Sequence, residues 1–382
     1  MNNVTGKPVT QEKGTNKALR RENRNRIFRY ICRNGRTSNP AIAYALKMSL
    51  PTVLQNTREL QEMGVLFDAG ELESTGGRKA KTVDVVADYR YSIGIDITRN
   101  HIVMVLTNLV GANLAWERIH IPYQDEEAYY KRLQELLRRF VAHNRVEKER
   151  ILGVGFSIPG IVNFRTNRID RSHVLELKDY PLEKIAGYIP YKTWFLNDAN
   201  AGAFAEGFHA PGDHFFYLSL NNTVGGAFYG KNKVLRGDHF RCGEVGHIVL
   251  VPGGKRCYCG KAGCVDPYCN ALRLAGLENG RLETFFQNLH SGREPETQRW
   301  KEYVQNLALV IHNIHMMLDY DIIIGGYVGS AMGDSIEDIR KAVRELDLFD
   351  QEPSYIRPCV FHASESAFGA ALFEVDSFIS QV

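Results

Sequence analysis

The chain has 382 residues, 44% of them hydrophobic and 24% charged. This is enough for two or three globular domains with cores of their own. No run approaches the roughly 18 apolar residues of a membrane span. The polar, basic start MNNVTGKPVTQEKGTNKALRRENRNR lacks the apolar centre of a secretory signal, so a cytoplasmic location is expected. Seven cysteines, an odd number, argue against a disulfide framework and for metal binding or free thiols.

The formal net charge of +3 is unevenly spread. Residues 1–90 hold 16 Lys/Arg and 9 Asp/Glu, the remainder 31 and 35, and residues 1–36 alone hold 10 and 2. A basic end on a slightly acidic body suits a polyanion such as nucleic acid. Charge alone fits a solvated basic tail equally well.

In chain order, residues 1–22 read as a flexible basic tail. A winged helix-turn-helix is expected over 23–88. Ile27, Tyr30 and Ile31 mark one face of a first helix that Gly35 ends. Asn39 reads as the N-cap of a second helix, with Pro40 at its first position and Ile42, Ala45 and Leu46 on its apolar face. Ser49 reads as the cap of a third, with Val53, Thr57 and Leu60 as its buried stripe and Gly64 as its close. Two short strands near 65–67 and 82–86 flank a Gly-Gly tip and form a wing.

On the third helix, Thr52, Gln55 and Asn56 are the candidates for base edges. Asn and Gln can pair with adenine in the major groove. Ser49 and Arg58 are assigned to the DNA backbone. Arg78 and Lys79 follow the tip glycines and suit a narrow groove. The alternative is a small helical domain with solvated polar residues.

Beyond Tyr91, strands alternate with helices. Strands are expected at 91–96, 101–106, 116–123, 151–157, 194–196, 215–219, 226–229 and 322–324, and long helices at 126–143 and 298–318. This is an α/β body with a mixed sheet, assigned to residues 89–382. No internal repeat is visible in the sequence. His247 with Cys257, Cys259 and Cys264 makes a complete tetrahedral donor set for a structural zinc ion. Reduced buried cysteines or a disulfide are the alternatives. Cys32, Cys242 and Cys359 read as small core residues and Cys269 as surplus to the set.

Polar clusters at expected strand ends include Ser157–Gly160, Leu196–Ala201, Gly243–His247 and Gly263–Asp266. Carboxylates, an amide and an imidazole in one cleft suit a polyhydroxylated ligand. Together GVGFSIPGIVN at 153–163, LNDANAGAFAE at 196–206, GEVGH at 243–247, CYCGKAGCVD at 257–266, IIIGGYVG at 322–329 and SAFGAALF at 366–373 resemble the ROK family of repressors and sugar kinases. With the winged helix, the chain resembles its repressor branch, whose members include xylose-, N-acetylglucosamine- and glucose-responsive regulators. The resemblance implies an actin-like fold of two RNase-H-like lobes, about 89–205 with a C-terminal helix 364–382, and about 206–363. It implies that Asn197, Asp198, Glu244 and His247 contact sugar hydroxyls beside Gly160, with Asp198 at the position of the kinase base. His247 would direct one ring nitrogen to the metal and the other to the sugar.

Two departures stand out. The kinases' first phosphate loop, Asp-Ile-Gly-Gly-Thr-Lys, is replaced by Asp96-Ile97-Thr98-Arg99-Asn100, without glycines. The second, at Asn221–Gly226, is partly kept. Phosphoryl transfer depends on positioning phosphates, so no kinase activity is expected, although Arg99 could attract an anion. Asp266 stands where the family has Glu, which retracts the carboxylate by about 1.5 Å and implies a larger ligand or a water-bridged contact. The reading is a sugar-responsive repressor, not an enzyme, acting as a homodimer or homotetramer on palindromic operator DNA, with no membrane partner. A sugar kinase with an accessory domain, or a repressor with a protein effector, are the alternatives.

Overall fold

The computed structural model describes residues 16–71, 80–210, 213–278, 280–349, 352–361 and 364–382. Two compact units divide the chain: Met1–Arg90 with Asp376–Val382, and Tyr91–Val375.

The first unit runs α1 (Asn16–Asn34), β1 (Thr37–Ser38), α2 (Asn39–Leu46), α3 (Leu50–Glu62), β2 (Leu66–Glu71) and β3 (Lys81–Val85). Ile27, Phe28 and Ile31 of α1 are fully buried, as are Ile42, Val53 and Leu60 of the next two helices. Burying such side chains stabilises by about 1.5–3 kcal/mol each. Gly35, at φ 69°, ends α1 in a left-handed turn that costs glycine nothing. Ser38, not Asn39, caps α2. Its Oγ accepts the Ala41 amide at 3.4 Å, and Pro40 falls in the first turn, where no N–H is needed. Ser49 caps α3 as expected, accepting from Thr52 N at 3.3 Å. The strands form an antiparallel sheet in the order β1-β3-β2, with Leu66 opposite Val85. The wing tip, with Arg78 and Lys79, lies outside the described residues.

Helix α1 already begins at Asn16, so residues 16–22 are helical rather than part of a flexible tail. Arg20 and Arg24 both pair with Glu59 of α3, which ties these early turns down. Arg24 and Asn25 donate to the carbonyls of Val382 and Ser380, and Arg29 pairs with Asp376. These bonds place residues 376–382 with the first unit and not with the body, where the sequence reading had put them.

In the second unit, two five-stranded sheets repeat one topology. The first half runs β4 (Tyr91–Ile97), β5 (His101–Asn108), β6 (Asn113–His120), α4 (Glu127–His143), β7 (Ile151–Ile158), β8 (Ile161–Asn163), β9 (Arg168–Ser172), β10 (Leu177–Pro181), α5 (Glu183–Ala186), β11 (Thr193–Asn197) and α6 (Asp198–His209). The second runs β12 (Phe215–Leu220), β13 (Val224–Gly230), β14 (Lys233–Leu235), α7 (Asp266–Cys269), α8 (Leu272–Ala275), α9 (Leu282–His290), α10 (Glu294–Leu318), β15 (Asp321–Gly325), α11 (Gly326–Ala331), α12 (Ile336–Arg344), β16 (Ile356–Pro358) and α13 (Glu365–Ile379). The sheet orders are β11-β7-β4-β5-β6 and β14-β13-β12-β15-β16. In each, an antiparallel meander of three strands is extended by two parallel ones. The repeat invisible in the sequence is therefore present in the topology.

Each sheet is covered by its helices. Tyr129, Leu133, Leu137 and Phe140 bury one stripe of α4 against the first sheet, and Tyr303, Leu307 and Ile311 do the same for α10 in the second. Helix α13 lies directly on β4: a Cβ on Gly94 would stand 1.7 Å from the Ala367 carbonyl. The β8-β9-β10 sheet has no counterpart in the sequence reading; it follows β7 and shapes one wall beside Gly160.

Candidate functional site

On α3, Gln55 and Arg58 are exposed, and Arg58 pairs with Glu62 at 3.1 Å. Thr52 is half-buried with its hydroxyl 2.7 Å from Ser49 Oγ. Asn56 departs from expectation. It is 2% exposed, and its Nδ2 donates to the Thr52 carbonyl at 2.7 Å, so it faces inward instead of offering an amide to a base edge. A buried amide one turn from its acceptor is a local bond that sequence spacing alone does not reveal. Tyr44 of α2, 90% exposed, and Leu54 of α3 join the outer surface and were not singled out from the sequence.

In the body, the β11–α6 junction carries Asn197 and Asp198. Asn197 Oδ1 caps α6 by accepting from Asn200 N at 3.0 Å. Its Nδ2 donates to the Gly160 carbonyl at 3.0 Å and to Asp198 Oδ1 at 2.9 Å. Both amide hydrogens have protein acceptors, so Asn197 braces Gly160 and Asp198. A side chain on Gly160 would strike the Arg171 carbonyl at 2.6 Å. Burial raises Asp198 to about 6, against bonds from Ala199, its own amide and Asn197.

Three further groups surround Asp198. Asp96 accepts the Ser157 hydroxyl at 2.6 Å and is raised to about 7, by burial first and then by the charges of Asp198 and Glu365. Glu365, 5% exposed, is raised to about 7 by burial, with Glu206 and Asp198 adding to it. Glu244 reaches solvent, yet the protein around it and the Asp198 charge raise it too. Its loop is fixed on β13 by glycines: a Cβ on Gly243 would lie 2.2 Å from the Gly226 carbonyl, and one on Gly246 2.1 Å from that of Val224. Asp266 behaves otherwise. It is 2% exposed, with Oδ2 accepting Val224 N at 2.7 Å and Oδ1 accepting Asn270 Nδ2 at 3.2 Å. It is a strut of the fold with both oxygens engaged, rather than a ligand contact.

The donor atoms of His247, Cys257, Cys259 and Cys264 all lie within 4.8 Å of one another and could hold a metal ion. His247 Nδ1 is 3.7 Å from Cys257 Sγ, and Cys259 Sγ is 3.8 Å from Cys264 Sγ. Gly263, at φ 85°, lets the loop turn; a Cβ there would collide with the Val251 carbonyl at 1.9 Å. The other ring nitrogen of His247 sits 3.3 Å from the Tyr258 hydroxyl, and the His173 ring is 5.0 Å from that of Tyr258. Tyr258, between two of the cysteines, is thus a site residue that the motif spacing could have revealed.

Two polar turns of the body satisfy their own donors. Thr98 and His101 close the first loop on each other, and Arg99 is held by Glu176 at 2.8 Å and by the Val174 carbonyl. At the start of α11, Gly326 N donates to the Tyr217 hydroxyl at 3.2 Å and Tyr327 N to Asn221 Oδ1 at 2.8 Å.

These features define a winged-helix DNA-binding domain joined to a duplicated two-sheet body. A family model described as ROK family matches residues 92–376, and one described as winged helix-turn-helix DNA-binding matches residues 20–66. The chain belongs to the ROK family. It is 26% identical over 357 residues to a putative xylose repressor of Caldicellulosiruptor sp. (strain Rt8B.4), covering 86% of this chain and 89% of that protein. It is 23% identical over 246 residues to the DNA-binding transcriptional dual regulator NagC of Escherichia coli K12, covering 63% and 60% of the two chains. In fold it resembles a ROK family transcriptional regulator, a homologue of the E. coli MLC protein, with TM-score 0.74, 20% identity and coverage of 95% and 98%. It also resembles a ROK glucokinase of Streptomyces griseus solved with glucose and AMPPNP, with TM-score 0.62, 21% identity and coverage of 74% and 98%. The larger coverage of the regulator reflects the added N-terminal unit.

Proposed function

We propose that this chain is a sugar-responsive transcriptional repressor that binds operator DNA through α3 and the wing, and a sugar at Asp198, Glu244 and Gly160. The observation that carries this reading is a DNA-binding unit on a ROK body whose two expected phosphate loops are engaged with the chain's own groups, Thr98 with His101 and Asn221 with the Tyr327 amide. Transfer of a phosphoryl group needs such loops open to position phosphates. The body keeps the sugar side and lacks the phosphate side, which suits a receptor rather than an enzyme. The names of the relatives, a putative xylose repressor and a DNA-binding transcriptional dual regulator, agree with this.

His247, Cys257, Cys259 and Cys264 would hold zinc. Tetrahedral bonds of about 2.3 Å to sulfur and about 2.0 Å to nitrogen place neighbouring donors roughly 3.5–3.8 Å apart, and the spacings of 3.7 and 3.8 Å fit. With four protein donors the ion would be structural. It would cross-link the loop after Glu244 and fix the His247 ring, which then holds Tyr258. A two-fold oligomer in the cytoplasm would match a palindromic operator. Sugar binding would shift the population between DNA-competent and released states.

The test is an operator-release titration with sugars, using duplexes selected by the purified protein, alongside an ADP-release assay. Release by a bound sugar with no ADP formed supports the reading. Steady ADP production with unchanged DNA affinity would replace it with a kinase.

A further inference from the structure

Helix α3 divides its residues between two faces. Val53, Asn56, Thr57 and Leu60 are buried in the first unit. Leu50, Pro51, Leu54, Gln55 and Arg58 are exposed on the other side. The two leucines stand four positions apart, so they are neighbours on one row of the helix surface. Leu50 is 42% exposed and Leu54 47%. A lone exposed leucine needs no explanation, whereas two adjacent ones form a continuous apolar strip.

The strip lies at the end of the helix that would meet DNA. Lys47, left-handed at φ 53°, turns the chain out of α2, and Ser49 caps α3. In a helix-turn-helix the second helix enters the major groove, and its N-terminal residues meet the base edges. Leu50 and Leu54 occupy those first two turns. Their polar neighbours are largely engaged: Asn56 donates to the Thr52 carbonyl, the Thr52 hydroxyl meets Ser49, and Arg58 pairs with Glu62. Gln55 remains as the exposed amide of these turns.

Charge selects the occupant. Residues 1–90 hold 16 Lys/Arg against 9 Asp/Glu. That excess suits a polyanion and disfavours a second copy of the same basic unit. In the major groove the base edges present donors and acceptors, and thymine adds a C5-methyl group. An apolar strip gains by covering that methyl and gains nothing from a polar edge.

We propose that the Leu50–Leu54 strip reads thymine methyl groups in the operator half-site, beside the base taken by Gln55. This rests on the reading of α3 as the DNA-contacting helix and deepens it.

In the experiment, the full chain first selects binding sites from randomised duplexes. Each thymine of the selected half-site is then replaced singly by deoxyuridine, which deletes the methyl group and keeps every hydrogen-bonding atom. Dissociation constants are measured for the parent, Leu50→Ala and Leu54→Ala, with thermal unfolding and sedimentation as controls of folding and assembly. One or two thymines are expected at which loss of the methyl weakens the parent about fourfold. At each of them, one of the two leucine variants should bind the thymine duplex more weakly by about fourfold or more and be indifferent to deoxyuridine. Melting temperature and assembly should stay unchanged. A parent indifferent to deoxyuridine at every position would overturn this inference and leave α3 reading bases through Gln55. So would a methyl dependence that persists in both leucine variants. Loss of affinity through a changed state of assembly would also overturn it, because the strip would then serve a second copy. A selection that enriches no sequence would overturn the reading of α3 itself.

Discussion

Nδ1 of His247 faces Cys257 Sγ at 3.7 Å while Nε2 of the same ring lies 3.3 Å from the Tyr258 hydroxyl. The ring is thus held between the cysteine cluster and a residue of that cluster's own loop. Metal ligation at Nδ1 would fix which nitrogen is left for Tyr258. The family resemblance implied a sugar at the second nitrogen, whereas in the structure that nitrogen meets the Tyr258 hydroxyl.

The purified chain should therefore contain one zinc per polypeptide by elemental analysis. Stripping it with a strong chelator, or the change Cys259→Ser, should lower the melting temperature and weaken sugar binding together, since the Glu244–His247 segment loses its cross-link. Full stability and unchanged sugar affinity in metal-free protein would rule out a structural ion.

The two amides of α3 should separate cleanly in mutagenesis. Gln55 is exposed and Asn56 is 2% exposed with its Nδ2 on the Thr52 carbonyl. Gln55→Ala should leave folding intact and cost about 1–3 kcal/mol of operator binding, with altered sequence preference. Asn56→Ala should destabilise the first unit by about 1 kcal/mol with base preference unchanged. Site selection from randomised duplexes, paired with thermal melts, distinguishes them. A shifted base preference for Asn56→Ala would restore it as a reader.

What could be read ahead of the structure followed from locality. Ser49, Gly35 and the stripe Val53, Thr57, Leu60 act within one helix turn, where spacing determines geometry. The cysteine cage was legible because three donors share one loop. Long-range commitments were not. Glu59 recruits Arg20 and Arg24 from across the chain and extends α1 backward, and Asp376 holds Arg29 from the far terminus. Nothing in residues 1–22 alone signals those partners. Asp266 was misread for the same reason: its acceptor role is defined by the Val224 amide, 42 positions away.

Asp266 and Asp198 should consequently fail in opposite ways. Asp266→Ala would leave the buried Val224 amide without an acceptor, at a cost of about 1–3 kcal/mol of unfolding free energy. Asp198→Ala removes a carboxylate that burial already disfavours in its charged form. It should abolish sugar binding while leaving stability equal or higher. Denaturant unfolding and calorimetry on both variants test this. A stable Asp266→Ala protein that has lost only sugar affinity would return Asp266 to the ligand site.

The carboxylate group gives the body a definite pH dependence. Asp96 and Glu365 are raised to about 7 and Asp198 to about 6, with burial the first cause in each. A raised carboxylate means that, between the unfolded value near 4 and the folded one, the folded chain binds more protons than the unfolded chain. Stability from these groups is therefore fully present below about pH 4, falls as pH climbs toward 7, and is flat above. Glu365→Gln keeps the shape and removes one titration. It should gain on the order of 1–3 kcal/mol over the parent at pH 8, and the gap should close near pH 4. Sugar hydroxyls donating to ionised Asp198 reverse the sign for binding, so affinity should rise as pH passes through about 6. Urea unfolding and calorimetry at pH 4.5, 6 and 8 measure both slopes. A parent protein whose stability increases steadily from pH 4 to 8, with Glu365→Gln tracking it in parallel, would mean that Glu365 is ionised in the fold and carries a partner charge.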